Sequence, residues 1–206
     1  TEAAESCDRE IAVNPDNAPA WINRQQALAG LGRVQEAIVS FDRANTLNPK
    51  FAGTWLYRGN ALAELGKFAD AVDSYDRAIS LLSTIPEMWY KRGLALGGLG
   101  RHTDALASFD KTIALDPGHA AAWTYRAVAL SELGQPDKAL AAYDRAVALN
   151  PENARAWYNR ANVLSGLSRE VEAVDSYDHA IAAGMDTEYI WADRGQSLGV
   201  LGRFPE

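Results

Sequence analysis

All six tryptophans of this chain are 34 residues apart: Trp21, Trp55, Trp89, Trp123, Trp157 and Trp191. A fixed period of this length marks a tandem array of one small unit. No such unit can bury its apolar face alone, so each must lean on its neighbours. Six periods span all but two of the 206 residues, leaving no room for a separate globular domain.

Other columns share the period. Seven residues after each Trp comes Leu28, Leu62, Leu96, Leu130, Leu164 or Leu198, and ten after comes Leu31, Leu65, Leu99, Leu133, Leu167 or Leu201. At 100° per residue, offsets 0, 7 and 10 fall near 0°, −20° and −80°, one apolar stripe on a helix. Gly32, Gly66, Gly100, Gly134 and Gly202 follow as left-handed helix stops, with Ser168 as the exception. A second helix then carries a small column (Ala3, Ala37, Ala71, Ala105, Ala139, Ala173). Four residues on is a large one (Cys7, Phe41, Tyr75, Phe109, Tyr143, Tyr177). Small residues let two helix axes approach, and the aromatics fill the space beside that contact.

The second helix stops at Asn14-Pro15, Asn48-Pro49, Asp116-Pro117 and Asn150-Pro151, because proline cannot continue a helix. The junctions at 82–86 and 183–186 depart from this pattern, and altered joints are expected there. The spacing predicts one array over 1–206. Residues 1–17 form a lone second helix, 18–51, 52–85, 86–119, 120–153 and 154–187 are full helix–turn–helix units, and 188–206 is a lone first helix. A second helix should begin at Phe204-Pro205-Glu206.

With these columns in place, the chain resembles the tetratricopeptide repeat family in its bacterial-type form. The match rests on Trp, a small residue four later (Gly59, Gly93, Gly195), then Ala, an aromatic, Ala and Pro at that family's spacing. Arg three after Trp, where the family usually has Leu, is a departure. The resemblance implies an all-α, right-handed superhelical solenoid of antiparallel helix pairs. It also implies a concave groove that binds peptides.

The arginine column lies inside the stripe: Arg24, Arg58, Arg92, Arg126, Arg160 and Arg194. A charge there needs a partner. Asp8, Asp42, Asp76, Asp110, Asp144 and Asp178 each precede an Arg by 16 residues, so inter-repeat pairs that set the stacking are expected. The alternative is a basic ladder gripping an acidic ligand. The face opposite the stripe would line the implied groove with Ile22, Leu56, Tyr90, Thr124 and Tyr158 one after Trp. Gln26, Asn60, Leu94, Val128, Asn162 and Gln196 stand five after it. Aliphatics, tyrosines and amides suit a peptide. Arg155, Asn159 and Asn162 could hold an anion. The family's clamp for a C-terminal carboxylate uses Lys one after Trp, where this chain has Leu56 and Tyr158.

The remaining chemistry is thin. His102, His119 and His179 sit at three different phases of the repeat, and Cys7 is the only cysteine, so neither a metal site nor a cofactor is expected. The lone thiol fits a reducing, cytoplasmic setting. A net charge of −7 disfavours nucleic acid and anionic membranes as partners. No catalytic triad, phosphate loop or acid pair stands out. The expectation is a non-catalytic module that binds a protein or peptide. The alternatives are a scaffold that self-associates head-to-tail through its terminal helices, or the recruiting arm of a larger enzyme.

Overall fold

The computed structural model describes residues 2–203; Thr1 and the expected helix start at Phe204-Pro205-Glu206 lie outside the described residues. The described residues form twelve α-helices and no strand, as the all-α reading expected. They fall into two compact units, residues 1–101 and 102–206. The first holds α1 (Glu2–Val13), α2 (Ala18–Gly30), α3 (Val34–Leu47), α4 (Ala52–Glu64), α5 (Phe68–Leu81) and α6 (Pro86–Gly98). The second holds α7 (His102–Leu115), α8 (Ala120–Glu132), α9 (Pro136–Leu149), α10 (Ala154–Gly166), α11 (Glu170–Ala182) and α12 (Glu188–Val200). None of these helices is long and apolar enough to cross a membrane.

Local chemistry explains the boundaries. Gly32, Gly66, Gly100, Gly134 and Gly202 all have φ near +70°, the left-handed turn that lets the next two amides bond back onto the helix end. At the first, Gly32 N–H reaches Ala29 O at 3.0 Å and Arg33 N–H reaches Leu28 O at 2.9 Å. Ser168 takes the same turn with φ 57°. This geometry corrects one expectation. The leucines ten after Trp cap the helix, and Leu31, Leu65 and Leu99 are 44%, 37% and 39% exposed, outside the inner stripe, whereas Leu167 does pack against the core.

The core sits between the paired helices. Ala37, Ala71, Ala105, Ala139 and Ala173 are fully buried, and Phe41, Tyr75, Phe109, Tyr143 and Tyr177 lie beside them. Gly59 shows how tight the contact is, since a Cβ there would stand 2.5 Å from the Tyr75 ring. Of the two odd junctions, 82–86 keeps the usual bond, Leu82 N–H to Ala78 O at 2.9 Å, and Pro86 simply opens α6. The other is altered: Gly184 turns left-handed, with φ 94°, and Met185 N–H bonds Ala180 O.

Candidate functional site

The arginine column is placed first, because it links helices of adjacent repeats. Nε of Arg24, Arg58, Arg92, Arg126, Arg160 and Arg194 donates to Oδ1 of Asp8, Asp42, Asp76, Asp110, Asp144 and Asp178 at 2.6–2.8 Å. The pairs are less buried than an inner stripe implies: the arginines are 17–26% exposed and the aspartates 49–55%. A second partner escaped the sequence reading. Nη1 of Arg24, Arg58 and Arg160 donates to Oγ of Ser40, Ser74 and Ser176, 16 residues downstream. One guanidinium thus ties its helix both to the repeat before and to its own second helix. The 34-residue serine column was the available signal.

The tryptophans do a related job at the junctions. Nε1 of Trp21, Trp55, Trp89, Trp123 and Trp157 donates to the main-chain carbonyl six residues earlier, at 2.8–3.1 Å. Each ring therefore pins the turn from which its helix emerges, and is half-buried rather than fully in the core. Trp191 is the exception, 48% exposed and bonded to Asp186 Oδ1. The histidines have local tasks: His119 Nδ1 accepts from Ala122 N–H at the start of α8, and His179 stacks on Trp157 at 4.4 Å. Among the described residues no group of three His, Cys, Asp or Glu converges.

Within each unit, the candidate site is formed by cavities between successive first helices, of which two are described in each. In the first unit, one of about 360 Å³ lies among α2, α3 and α4, and one of about 330 Å³ among α4, α5 and α6. In the second, one of about 290 Å³ lies among α8, α9 and α10, and one of about 250 Å³ among α10, α11 and α12. Every one is lined by residues five after Trp: Gln26 and Asn60, Asn60 and Leu94, Val128 and Asn162, Asn162 and Gln196. Every one also has an aromatic of the second helix in its wall: Phe41, Tyr75, Tyr143 or Tyr177.

Those aromatic hydroxyls were missed, because the sequence reading treated the rings only as filler. Tyr75 OH donates to Asn60 Oδ1 at 2.9 Å, and Tyr177 OH to Asn162 Oδ1 at 2.7 Å. Burial pushes both phenols up, and pushes Tyr143 up to about 12. The bonds hold the asparagine carbonyls toward the wall; Asn162 also hydrogen-bonds Tyr158 on the same helix. Arg155, Asn159 and Asn162 do share one cavity, with Glu132 on its rim and the Arg155 guanidinium 6.0 Å from the Tyr125 ring.

The column one after Trp is different. Ile22, Leu56, Tyr90, Thr124 and Tyr158 line none of these four cavities. Thr124 is 5% exposed, and its hydroxyl donates to Ala120 O and accepts from Asn153. Leu56 packs against the Ala52–Ala78–Met88 cluster. Tyr158 OH is tied to Asp193 Oδ2 at 2.8 Å. Leu56, Thr124 and Tyr158 thus reach toward the neighbouring repeat.

Comparisons with known proteins agree with this architecture. Models described as tetratricopeptide repeat or TPR repeat match residues 59–100, 90–131, 120–153 and 142–175. A search of curated proteins finds no match. Among solved structures, YrrB, described as a TPR protein with an unusual peptide-binding site, is 22% identical with a TM-score of 0.80. The match covers 94% of this chain and 100% of that one. MamA from Desulfovibrio magneticus RS-1 is 21% identical with a TM-score of 0.78, over 82% of this chain and 97% of that one. PilF of Pseudomonas aeruginosa is 16% identical with a TM-score of 0.77, over 90% and 85%. With repeat models spanning the middle of the chain and every helix pair built on the same columns, this chain belongs to the tetratricopeptide repeat family.

Proposed function

We propose that the chain is a non-catalytic interaction module that holds an extended peptide segment of a protein partner along the cavities between its first helices. The observation that carries this reading is the column five after Trp, which lines every one of the four cavities and is mostly amide. An extended peptide offers N–H and C=O groups at short intervals; the amides of Gln26 and Gln196 can meet either, while the Asn60 carbonyl already accepts from Tyr75 and its N–H₂ suits a peptide carbonyl. Leu94, Val128 and the aromatic walls supply apolar contact between those bonds. The likeness to YrrB adds support from a protein described as peptide-binding.

NMR titration of the ¹⁵N-labelled chain with a pool of unstructured twelve-residue peptides tests the proposal. Binding should shift Asn60, Leu94, Val128 and Asn162 first. Leu94→Glu combined with Asn162→Ala should weaken binding at least tenfold while helicity is unchanged; undiminished affinity would reject the groove.

A second reading, self-assembly, has one observation in its favour. The outer side of α12 presents Tyr189, Trp191 and Val200 at 76%, 48% and 68% exposure. A molar mass that stays constant in light scattering across a hundredfold concentration range would exclude it.

A further inference from the structure

Gln25 stands four after Trp21, where the other repeats have Gly59, Gly93, Ala127, Ala161 and Gly195. The small residue makes room for the ring of the second helix, as the 2.5 Å approach at Gly59 shows. In the first repeat that ring is Phe41, with no hydroxyl, and a glutamine takes the small residue's place. The Gln25 side chain is fully buried, and neither Nε2 nor Oε1 has a hydrogen-bond partner. An amide in this state has lost its hydrogen bonds to water without replacing them, which disfavours the fold. Asn45 and Ser197 are also buried and unpartnered, but they border none of the four cavities. Gln25 forms part of the wall of the largest of the four, the one of about 360 Å³.

We infer that Gln25 and this cavity form a specificity pocket for a carboxamide side chain, Asn or Gln, of the bound peptide. The inference rests on the peptide-binding reading and deepens it. Gln25 needs one acceptor for its N–H₂ and one donor for its carbonyl. A carboxamide provides both in one plane. An ammonium or guanidinium provides only donors and leaves Nε2 unpaired. A carboxylate provides only acceptors, leaves Oε1 unpaired, and meets Glu64, the one charged group lining the cavity. An aliphatic side chain leaves the amide as it is. Val34, Phe41 and Ala61 receive the methylene stem, and the side chains of Gln26 and Tyr57, both exposed, stand at the mouth. The Gln25 amide atoms are closed to water in the empty cavity, so pairing requires Gln25 to turn one torsion toward the entering group.

The experiment is an NMR titration of the ¹⁵N-labelled full chain with four peptides, Ala-Ala-X-Ala-Ala, where X is Gln, Leu, Glu or Lys. Each is acetylated and N-methylamidated so that no other primary carboxamide is present. The Gln peptide should bind at least threefold tighter than the other three and shift the Gln25 side-chain N–H₂ signals, identified by their loss in Gln25→Met. That variant should bind all four equally. It should also melt about 2–4 °C higher, because the unpaired amide is gone. Gln25→Ala, which needs no repacking around a longer chain, should lose the preference as well. Equal affinities in the parent chain overturn the inference, as does a preference that survives both substitutions. If the peptides shift Asn60 and Leu94 without a Gln preference, the groove reading stands and this inference falls. If no peptide shifts any groove signal, both fall.

Discussion

Arg58 Nε donates to Asp42 Oδ1 across 2.6 Å, from the first helix of one repeat to the second helix of the repeat before it. The same guanidinium donates through Nη1 to Ser74 Oγ, on the second helix of its own repeat. A side chain 23% exposed thus joins three helices, while Asp42, at 55%, keeps much of its hydration. The two residues should therefore be unequal in value. Asp42→Ala is expected to cost about 1 kcal/mol, the upper range for a water-exposed pair. Arg58→Met is expected to cost about 2 kcal/mol, because it also removes the bond to the buried Ser74 Oγ, which keeps only its donation to Asp70 O. Urea unfolding of both variants checks this, and an Arg58→Met loss below about 0.5 kcal/mol would mean that packing alone sets the joint.

Glycine-to-alanine changes should have opposite signs at equivalent positions. A Cβ at Gly59 would meet the Tyr75 ring at 2.5 Å, and the ring is locked in the core. Gly59→Ala is expected to destabilise by about 1–3 kcal/mol through overpacking. A Cβ at Gly195 would meet nothing within 4 Å, so Gly195→Ala should stabilise α12 by up to about 1 kcal/mol. Thermal unfolding of the two single variants decides it.

Ser168 adopts the left-handed turn that glycine serves in the other repeats, at φ 57°. The strain of a Cβ in that conformation is about 1–2 kcal/mol. Ser168→Gly should recover much of it, less the entropy that glycine gains in the unfolded chain. The net expectation is a stabilisation of about 0.5–1 kcal/mol, read as a rise in denaturation midpoint. A fall in the midpoint would show that the serine side chain contributes more than its backbone strains.

Alkaline conditions should loosen the array. Burial raises the folded-state pKa of Tyr75, Tyr143 and Tyr177 above the usual phenol value of 10, for Tyr143 to about 12. A raised folded pKa means that the unfolded state loses its proton first. The stabilisation is full below pH 10 and declines above it, by up to about 1.4 kcal/mol per pH unit for each group. Urea midpoints should be level from pH 8 to 9.5 and fall steadily beyond pH 10. Tyr75→Phe and Tyr143→Phe together should flatten that decline.

The sequence by itself determined the helices, their order and the aspartate partner of every column arginine. Proline, glycine and the 34-residue period act through backbone angles and nearest-neighbour spacing, which the order of residues states directly. The sixteen-residue separation of Asp42 and Arg58 was readable for the same reason: in a repeat, one spacing recurs and its geometry recurs with it. Tertiary structure decided which way each face looks. Leu31 and Leu65 seem core residues by helical angle, but they stand just past the last turn, where the chain has left the helix. Thr124 belongs to the outward face of an isolated helix, yet the next repeat packs over it. Tyr75 seems a spacer until its hydroxyl is seen to reach Asn60, and Gln25 differs from its counterparts only once the crowding at Gly59 is known. A helical wheel contains one helix, and the burial of a side chain in an array is set by three.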